Sequence, residues 1–162
     1  MVVKRSSMMR RFLPVFLLAS AIAMPGKAQD REVPYWASLR SSEINMRVGP
    51  SSEYKINWVY RRQGLPVKVV RVLEGWRLIE DPDGARGWVV ARLLSPDRTA
   101  IVIGDSPAAM REDPDPESGL KWRLEPGVTG TLRECDDGWC EMVIGERSGF
   151  VRQARLWGVD PN

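Results

Sequence analysis

The chain has 162 residues, with 24 Lys and Arg against 21 Asp and Glu, seven Trp, two Cys and no His. Without His, the usual general base and catalytic triads are missing, and four Cys and His ligands for zinc are not available. The first 28 residues hold five bases and no acid, so the rest has 19 bases and 21 acids. The charge of this remainder gives no basis for nucleic-acid binding.

Residues 1–28 have the pattern of a signal peptide. Four basic residues precede an apolar run over 12–24, which has the length of a signal-peptide core and is short for a membrane span. Small residues at Gly26 and Ala28 predict cleavage after Ala28. Cleavage after Ala23 and an uncleaved membrane anchor are the alternatives. The pattern predicts a periplasmic or secreted protein with no stable membrane span after cleavage.

After a short polar tail at 29–36, alternating and β-branched residues predict five short strands. We expect them over 37–46, 56–60, 67–72, 76–79 and 87–90. Gly49-Pro50 marks a turn-rich loop after the first strand, because the residue before Pro avoids the helical region. The run from Asp81 to Gly84 is a strong turn signal, because Pro fixes φ and Gly accepts positive φ.

The same pattern returns after a junction near Pro96. Trp139 follows Trp76 by 63 residues, and Phe150 follows Trp88 by 62. A period repeated once predicts two small domains rather than a solenoid. A unit of about 60 residues is marginal alone, so packing of the two copies against each other would stabilise both.

The first copy carries a family pattern in the segment Asn45-Met46-Arg47-Val48-Gly49-Pro50-Ser51, in Gly64, in Gly75-Trp76, in Gly87-Trp88-Val89 and in Leu94. Taken together, these residues resemble the bacterial SH3 (SH3b) domain. The resemblance implies an all-β fold of two tandem five-stranded barrels. We place the first domain at 37–96 and a second, divergent one at 97–162. The second replaces the Gly-Pro loop with an acidic one. If the first copy has a ligand groove, we expect the second either to lack it or to have a different ligand.

The two cysteines lie on either side of an Asp-Gly turn. If Asp137-Gly138 is a two-residue hairpin loop, Asp136 faces Trp139 and Cys135 faces Cys140. Opposite Cα atoms in such a pair are close enough for a disulfide, and an exported protein meets an oxidising compartment. The sequence therefore predicts a structural disulfide. A redox switch is the alternative, although the spacing is not that of Cys-x-x-Cys.

A candidate binding site follows from the aromatic residues of the first copy. In SH3-like barrels the loop after the first strand borders a groove, and extended ligands suit aromatic-lined grooves. Core and inter-domain packing of the same rings is the alternative. The predicted ligand-binding residues are Tyr54, Trp58, Trp76 and Trp88, with Arg47 as a contact for a carboxylate.

The sequence thus predicts a non-catalytic, exported module that binds cell-wall peptides or an envelope protein and needs no cofactor. A structural or inhibitory module that uses the inter-domain surface is a second hypothesis. A carboxylate-based cell-wall enzyme would need two buried carboxyls at a fixed spacing, and no such pair can be assigned. The acids at 112–117 lack the frame of a calcium loop and are interpreted as solvated loop residues.

Overall fold

The computed structural model describes residues 31–160. The predicted signal peptide, most of the predicted tail and the last two residues lie outside this range. The first sheet is formed by β1 (Tyr35–Leu39), β2 (Ile44–Arg47), β3 (Ile56–Tyr60), β4 (Pro66–Leu73), β5 (Trp76–Glu80), β6 (Arg86–Val90) and β7 (Leu94–Ser95). A single 3-10 turn, Ala91–Leu93, precedes β7.

The second sheet follows three residues later. Its strands are β8 (Thr99–Val102), β9 (Ala108–Arg111), β10 (Leu120–Leu124), β11 (Thr129–Asp136), β12 (Trp139–Ile144), β13 (Arg147–Arg152) and β14 (Leu156–Trp157). A 3-10 turn, Gln153–Arg155, again precedes the last strand. Residues 31–160 contain no helix long and apolar enough to span a membrane.

The two sheets have the same topology. The strand order is β3-β2-β6-β5-β4-β1-β7 in the first and β10-β9-β13-β12-β11-β8-β14 in the second. Adding seven to each strand number converts one order into the other. The predicted all-β fold and the duplication are therefore confirmed.

Each unit has seven strands where five were expected. The predicted strand at 37–46 is wrong as a single element, because the chain turns between Leu39 and Ile44 and forms β1 and β2. The amide of Leu39 donates to the carbonyl of Leu65, and that of Arg40 donates to the carbonyl of Leu93. A two-residue closing strand, β7 in the first unit and β14 in the second, is the seventh strand. Tyr35 and Trp36, which we placed in the tail, begin β1.

Each unit encloses its own apolar core. In the first, the buried residues include Leu39, Met46, Val69, Ile79 and Val89. In the second, the buried residues include Val102, Met110, Cys140, Met142 and Val151. Along each strand these residues alternate with more exposed ones, which leaves the opposite face of the sheet available for a site.

The two units pack directly against each other. Ile101 of β8 belongs to the core of the first unit, whereas its neighbours Ala100 and Val102 belong to the second. The Arg62 guanidinium donates to the carbonyl of Gly127 in the other unit. The short connection between Ser95 and Thr99 is thus supported by contacts on both sides.

Candidate binding faces

Strand pairing places two of the predicted aromatic residues on the outer face of the first sheet. Trp88 lies opposite Arg47 on one side and opposite Leu78 on the other. Trp76, two residues before Leu78, lies opposite Val90. Because directly opposed residues of antiparallel strands point to the same face, these side chains share one surface.

The exposure of this outer face is uneven. Trp88 is only 9% exposed although it points away from the core, and Trp76 is half-buried. Tyr54, Ile56 and Leu73 are exposed. The face therefore combines a firmly packed Trp88 with exposed apolar surface around it, which is the combination expected of a groove floor and its rim.

Arg47 holds the loop that borders this face. Its Nη1 donates to the carbonyl oxygen of Tyr54 at 2.6 Å. The Tyr54 ring lies over Gly49, where a Cβ would come within 2.6 Å of it. The second unit repeats the bond, since Arg111 Nη1 donates to the carbonyl of Ser118 at 2.5 Å. Arg47 is thus tied to the loop backbone, and a contact with a ligand carboxylate stays a prediction.

Trp58 lies on a different surface. It is 58% exposed on the edge strand β3, opposite the buried Met46. The register of β2 and β3 shifts between Met46 and Arg47, which changes the side to which the following residues point. Trp58 lines a cavity of about 580 Å³ together with Tyr60, Pro82 and Ile101 of the second unit. The predicted site residues are therefore divided between the outer face and this junction groove.

Sequence reasoning missed a buried polar pair beside the junction groove. The Tyr60 hydroxyl donates to Asp81 Oδ2 at 2.9 Å, and both residues are buried. Asp81 Oδ1 accepts from the amides of Asp83 and Ala85, in agreement with its interpretation as a turn residue. Burial raises the pKa of Tyr60 above its ordinary value, and the hydrogen bond to Asp81 and the nearby negative charges raise it further. Sequence spacing alone carries no signal for this contact.

The predicted cysteine pairing is present. Cys135 lies opposite Cys140, and Asp136 lies opposite Trp139. The two cysteines form a disulfide with their Cα atoms 4.0 Å apart. Asp137 and Gly138 both have positive φ, as a tight two-residue hairpin turn requires. In the first unit Val72 and Arg77 form the corresponding pair, so the fold itself does not depend on the bridge.

The outer face of the second unit also forms a cavity. Phe150 lies opposite Arg111 on one side and opposite Glu141 on the other, as Trp88 lies between Arg47 and Leu78. The cavity measures about 440 Å³, and Phe150, Trp139 and Pro114 form its apolar walls. Its other lining residues are Glu134, Asp136, Asp137 and Glu141. This unit thus keeps an aromatic site at the same position but gives it a negative rim.

Among residues 31–160, no three Cys, Asp or Glu side chains are grouped so that they could hold a metal ion. The acids at 112–117 are exposed. Their loop is bound to itself, since Asp115 Oδ1 accepts from the amide of Glu117 and the Ser118 hydroxyl donates to the carbonyl of Asp113.

Two all-β units of one topology, joined in tandem and each with an aromatic outer face, define a class of small duplicated β domains. Residues 40–96 and 104–158 match the family model described as Bacterial SH3 domain. These two matches cover more than half of the chain, which therefore belongs to the bacterial SH3 domain family. No curated protein matches the chain.

Solved structures with some similarity to the chain include NlpC2 from Trichomonas vaginalis, at 10% identity and a TM-score of 0.35, over 82% of this chain and 52% of that one. NlpC1 from the same organism matches at 10% identity and a TM-score of 0.34, over 80% and 47%. An NlpC/P60 family protein from Bacillus cereus ATCC 10987 matches at 12% identity and a TM-score of 0.35, over 75% and 55%. The chain spans about half the length of these proteins.

Proposed function

We propose that the protein is an exported, non-catalytic binding module of the cell envelope. In this proposal the outer face of the first unit holds a cell-wall peptide or an extended segment of an envelope protein. The observation that supports it is the placement of Trp76 and Trp88 on one face, with exposed Tyr54 at its border. Aromatic rings at such a face provide a large contact area for extended peptides.

The proposed location is the periplasm or the outside of the cell. The basic, apolar start of the sequence and the disulfide of the second unit both support export. No cofactor is part of the proposal. Membership of a bacterial SH3 family supports a role at the cell wall, and a zymogram on cell-wall substrate should show no clearing by the purified protein.

The test is retention of the purified protein by cell-wall sacculi. Trp76→Ala should lower retention about five- to thirtyfold, because truncating an aromatic anchor in a peptide groove typically costs about 1–2 kcal/mol. Lys121→Ala, an exposed change on β10, is the matched control and should leave retention unchanged. Equal retention of the wild type and a folded Trp76→Ala variant would count against the outer face.

A second candidate function is favoured by Trp58. Its exposed ring lies in a cavity to which both units contribute. A module that binds one protein partner at the junction would require such a cavity. Trp58→Ala should then abolish retention by that partner and leave retention by sacculi unchanged. Loss of sacculus binding in Trp58→Ala but not in Trp76→Ala would place the cell-wall site at the junction instead.

A further inference from the structure

The duplication gives two versions of one site, and these versions have opposite chemistry. On the outer face of the first unit, Arg71 and Leu73 of β4 lie opposite Leu78 and Trp76 of β5. The corresponding residues of the second unit, 63 positions later, are Glu134, Asp136, Glu141 and Trp139. A basic and two aliphatic side chains are thus replaced by three carboxylates, while the Trp is retained.

The carboxylates alone would be a solvated acidic surface, but here they border an open concave surface with aromatic walls. Trp139 is 5% exposed and Phe150 is half-buried, and both contribute to the walls of the 440 Å³ cavity. Pro114, which belongs to the acidic loop at 112–117, forms another wall of the cavity. A concave surface that combines aromatic walls with convergent charged groups is a form that binding sites take.

The charges around this cavity are only partly compensated. Arg133 forms an ion pair with Glu141 at 3.0 Å. The Arg152 guanidinium lies over the Trp139 ring, 4.1 Å from its centroid, so the ring already accepts a cation in this fold. Within residues 31–160, Glu134, Asp136 and Asp137 form no ion pair. The cavity therefore has a surplus of negative charge at its β11 wall.

The spacing of these carboxylates suits an extended ligand. Glu134 and Asp136 are alternate residues of β11, so their Cα atoms are about 6–7 Å apart. Alternate side chains of an extended peptide have the same spacing. Lys or Arg at two alternate positions would therefore meet both carboxylates, and the apolar stem of one of these cationic side chains would cover Phe150.

We propose that the cavity of the second unit binds an extended protein segment that carries cationic side chains at alternate positions. The proposal does not rest on the site of the first unit, since it concerns other residues and a ligand of opposite charge preference. The disulfide contributes by fixing the hairpin turn that carries Asp136 and Asp137 beside the cavity.

The probe is a labelled, end-blocked peptide with three Lys-Ala repeats, and its control has Gln in place of each Lys. Binding to the oxidised protein with both units is followed by fluorescence anisotropy at low salt. The Lys peptide should bind at least about tenfold more tightly than the Gln peptide. Its affinity should fall steeply with added salt, because the contacts are exposed charge pairs.

The decisive variant is Glu134→Gln/Asp136→Asn, which should weaken binding of the Lys peptide about tenfold. Asp105→Asn/Glu146→Gln removes the same charge from exposed turns outside the cavity, and should change the affinity less than about twofold. Phe150→Leu keeps the apolar bulk but removes the ring, and it should also weaken binding. All these residues except Phe150 are exposed, so the charge variants should remain folded, as circular dichroism would check.

Three results would overturn the proposal. Equal weakening by the two charge-matched double variants would show that only net charge attracts the peptide. Equal binding of the Lys and Gln peptides, or no binding of either, would show that the cavity does not select cations. Concentration-dependent self-association that the Glu134→Gln/Asp136→Asn variant abolishes would assign the cavity to a second copy of the chain.

Discussion

Trp36 of the first unit and Trp157 of the second meet edge to face, with their ring centroids 4.7 Å apart. Trp36 Nε1 also donates to Asp160 Oδ1 at 2.8 Å. These residues lie at opposite ends of the described chain, yet they form one contact. With Ile101 in the core of the first unit, this contact makes the stability of each unit depend on the other.

We expect Trp36→Ala to lower the free energy of unfolding by about 2 kcal/mol, since a half-buried aromatic ring and its edge-to-face partner are lost. The variant should also be cleaved faster by proteases near residues 96–98, where the units are joined. Urea denaturation and limited proteolysis measure both effects. Trp58→Ala is the matched control and should change stability by less than about 1 kcal/mol, because that ring is largely exposed. Equal losses in the two variants would contradict the role of the Trp36 contact.

Two glycines should be intolerant of a single added methyl group. A Cβ at Gly87 would overlap Met46 Cγ and lie 3.0 Å from the carbonyl oxygen of Arg47, and a Cβ at Gly149 would lie 2.6 Å from Met110 Cγ. Both glycines are buried, and Met46 and Met110 are also buried. Gly87→Ala and Gly149→Ala should each cost about 2 kcal/mol of folding free energy.

Gly75→Ala is the control for the glycine variants, because a Cβ there has no neighbour within 4 Å. It should change the thermal midpoint little. A loss of stability in Gly75→Ala as large as in Gly87→Ala would mean that backbone strain on replacing glycine, and not close packing against the methionines, explains the result.

Local signals were sufficient to predict the duplication and the cysteine hairpin. The pairing of Cys135 with Cys140 follows from a two-residue turn, and turn geometry fixes register over short distances. These two predictions need only the order of residues along the chain. Strand alternation also places Trp76 with Leu78 and Trp88 with Val90, and the pairing of β5 with β6 then brings both Trp residues to one face.

The position of Trp58 could not be predicted in the same way. Alternation along β3 relates Trp58 to Tyr60, but the register shift opposite Met46 and Arg47 decides which surface each side chain reaches. The burial of Ile101 in the first core is likewise a contact between units. Neither a bulge nor a contact between units has a signal in the spacing of residues along one strand.

The disulfide predicts that the denatured, unreduced protein has no free thiol, since the chain has only two cysteines and both are bonded. Thiol titration measures this directly, and two free thiols would refute the pairing. Reduction should lower the free energy of unfolding by about 2 kcal/mol, because the bridge closes a small loop. The fold should survive reduction, since Val72 and Arg77 form the same pair without a bridge. Retained far-ultraviolet circular dichroism after reduction would check that expectation.

Tyr60 should make the protein less stable in alkali. Burial raises the pKa of Tyr60 above 10.0, its ordinary value, so above that pH the unfolded chain loses a proton that the folded chain keeps. The contribution of Tyr60 to stability is therefore complete below about pH 10 and declines as the pH rises further.

The Tyr60→Phe variant isolates the effect that ionisation of Tyr60 has on the free energy of unfolding. At pH 7 the variant should be less stable by about 1–2 kcal/mol, because the buried Asp81 carboxylate loses the hydroxyl that donates to it. The difference between wild type and variant should shrink between pH 10 and about pH 11, since only the wild type has this tyrosine to ionise. Urea denaturation at pH 7, 9, 10 and 11 measures the difference, and the other two tyrosines, Tyr35 and Tyr54, are present in both proteins. A difference that stays constant to pH 11 would mean that Tyr60 ionises in the folded protein as readily as in the unfolded chain.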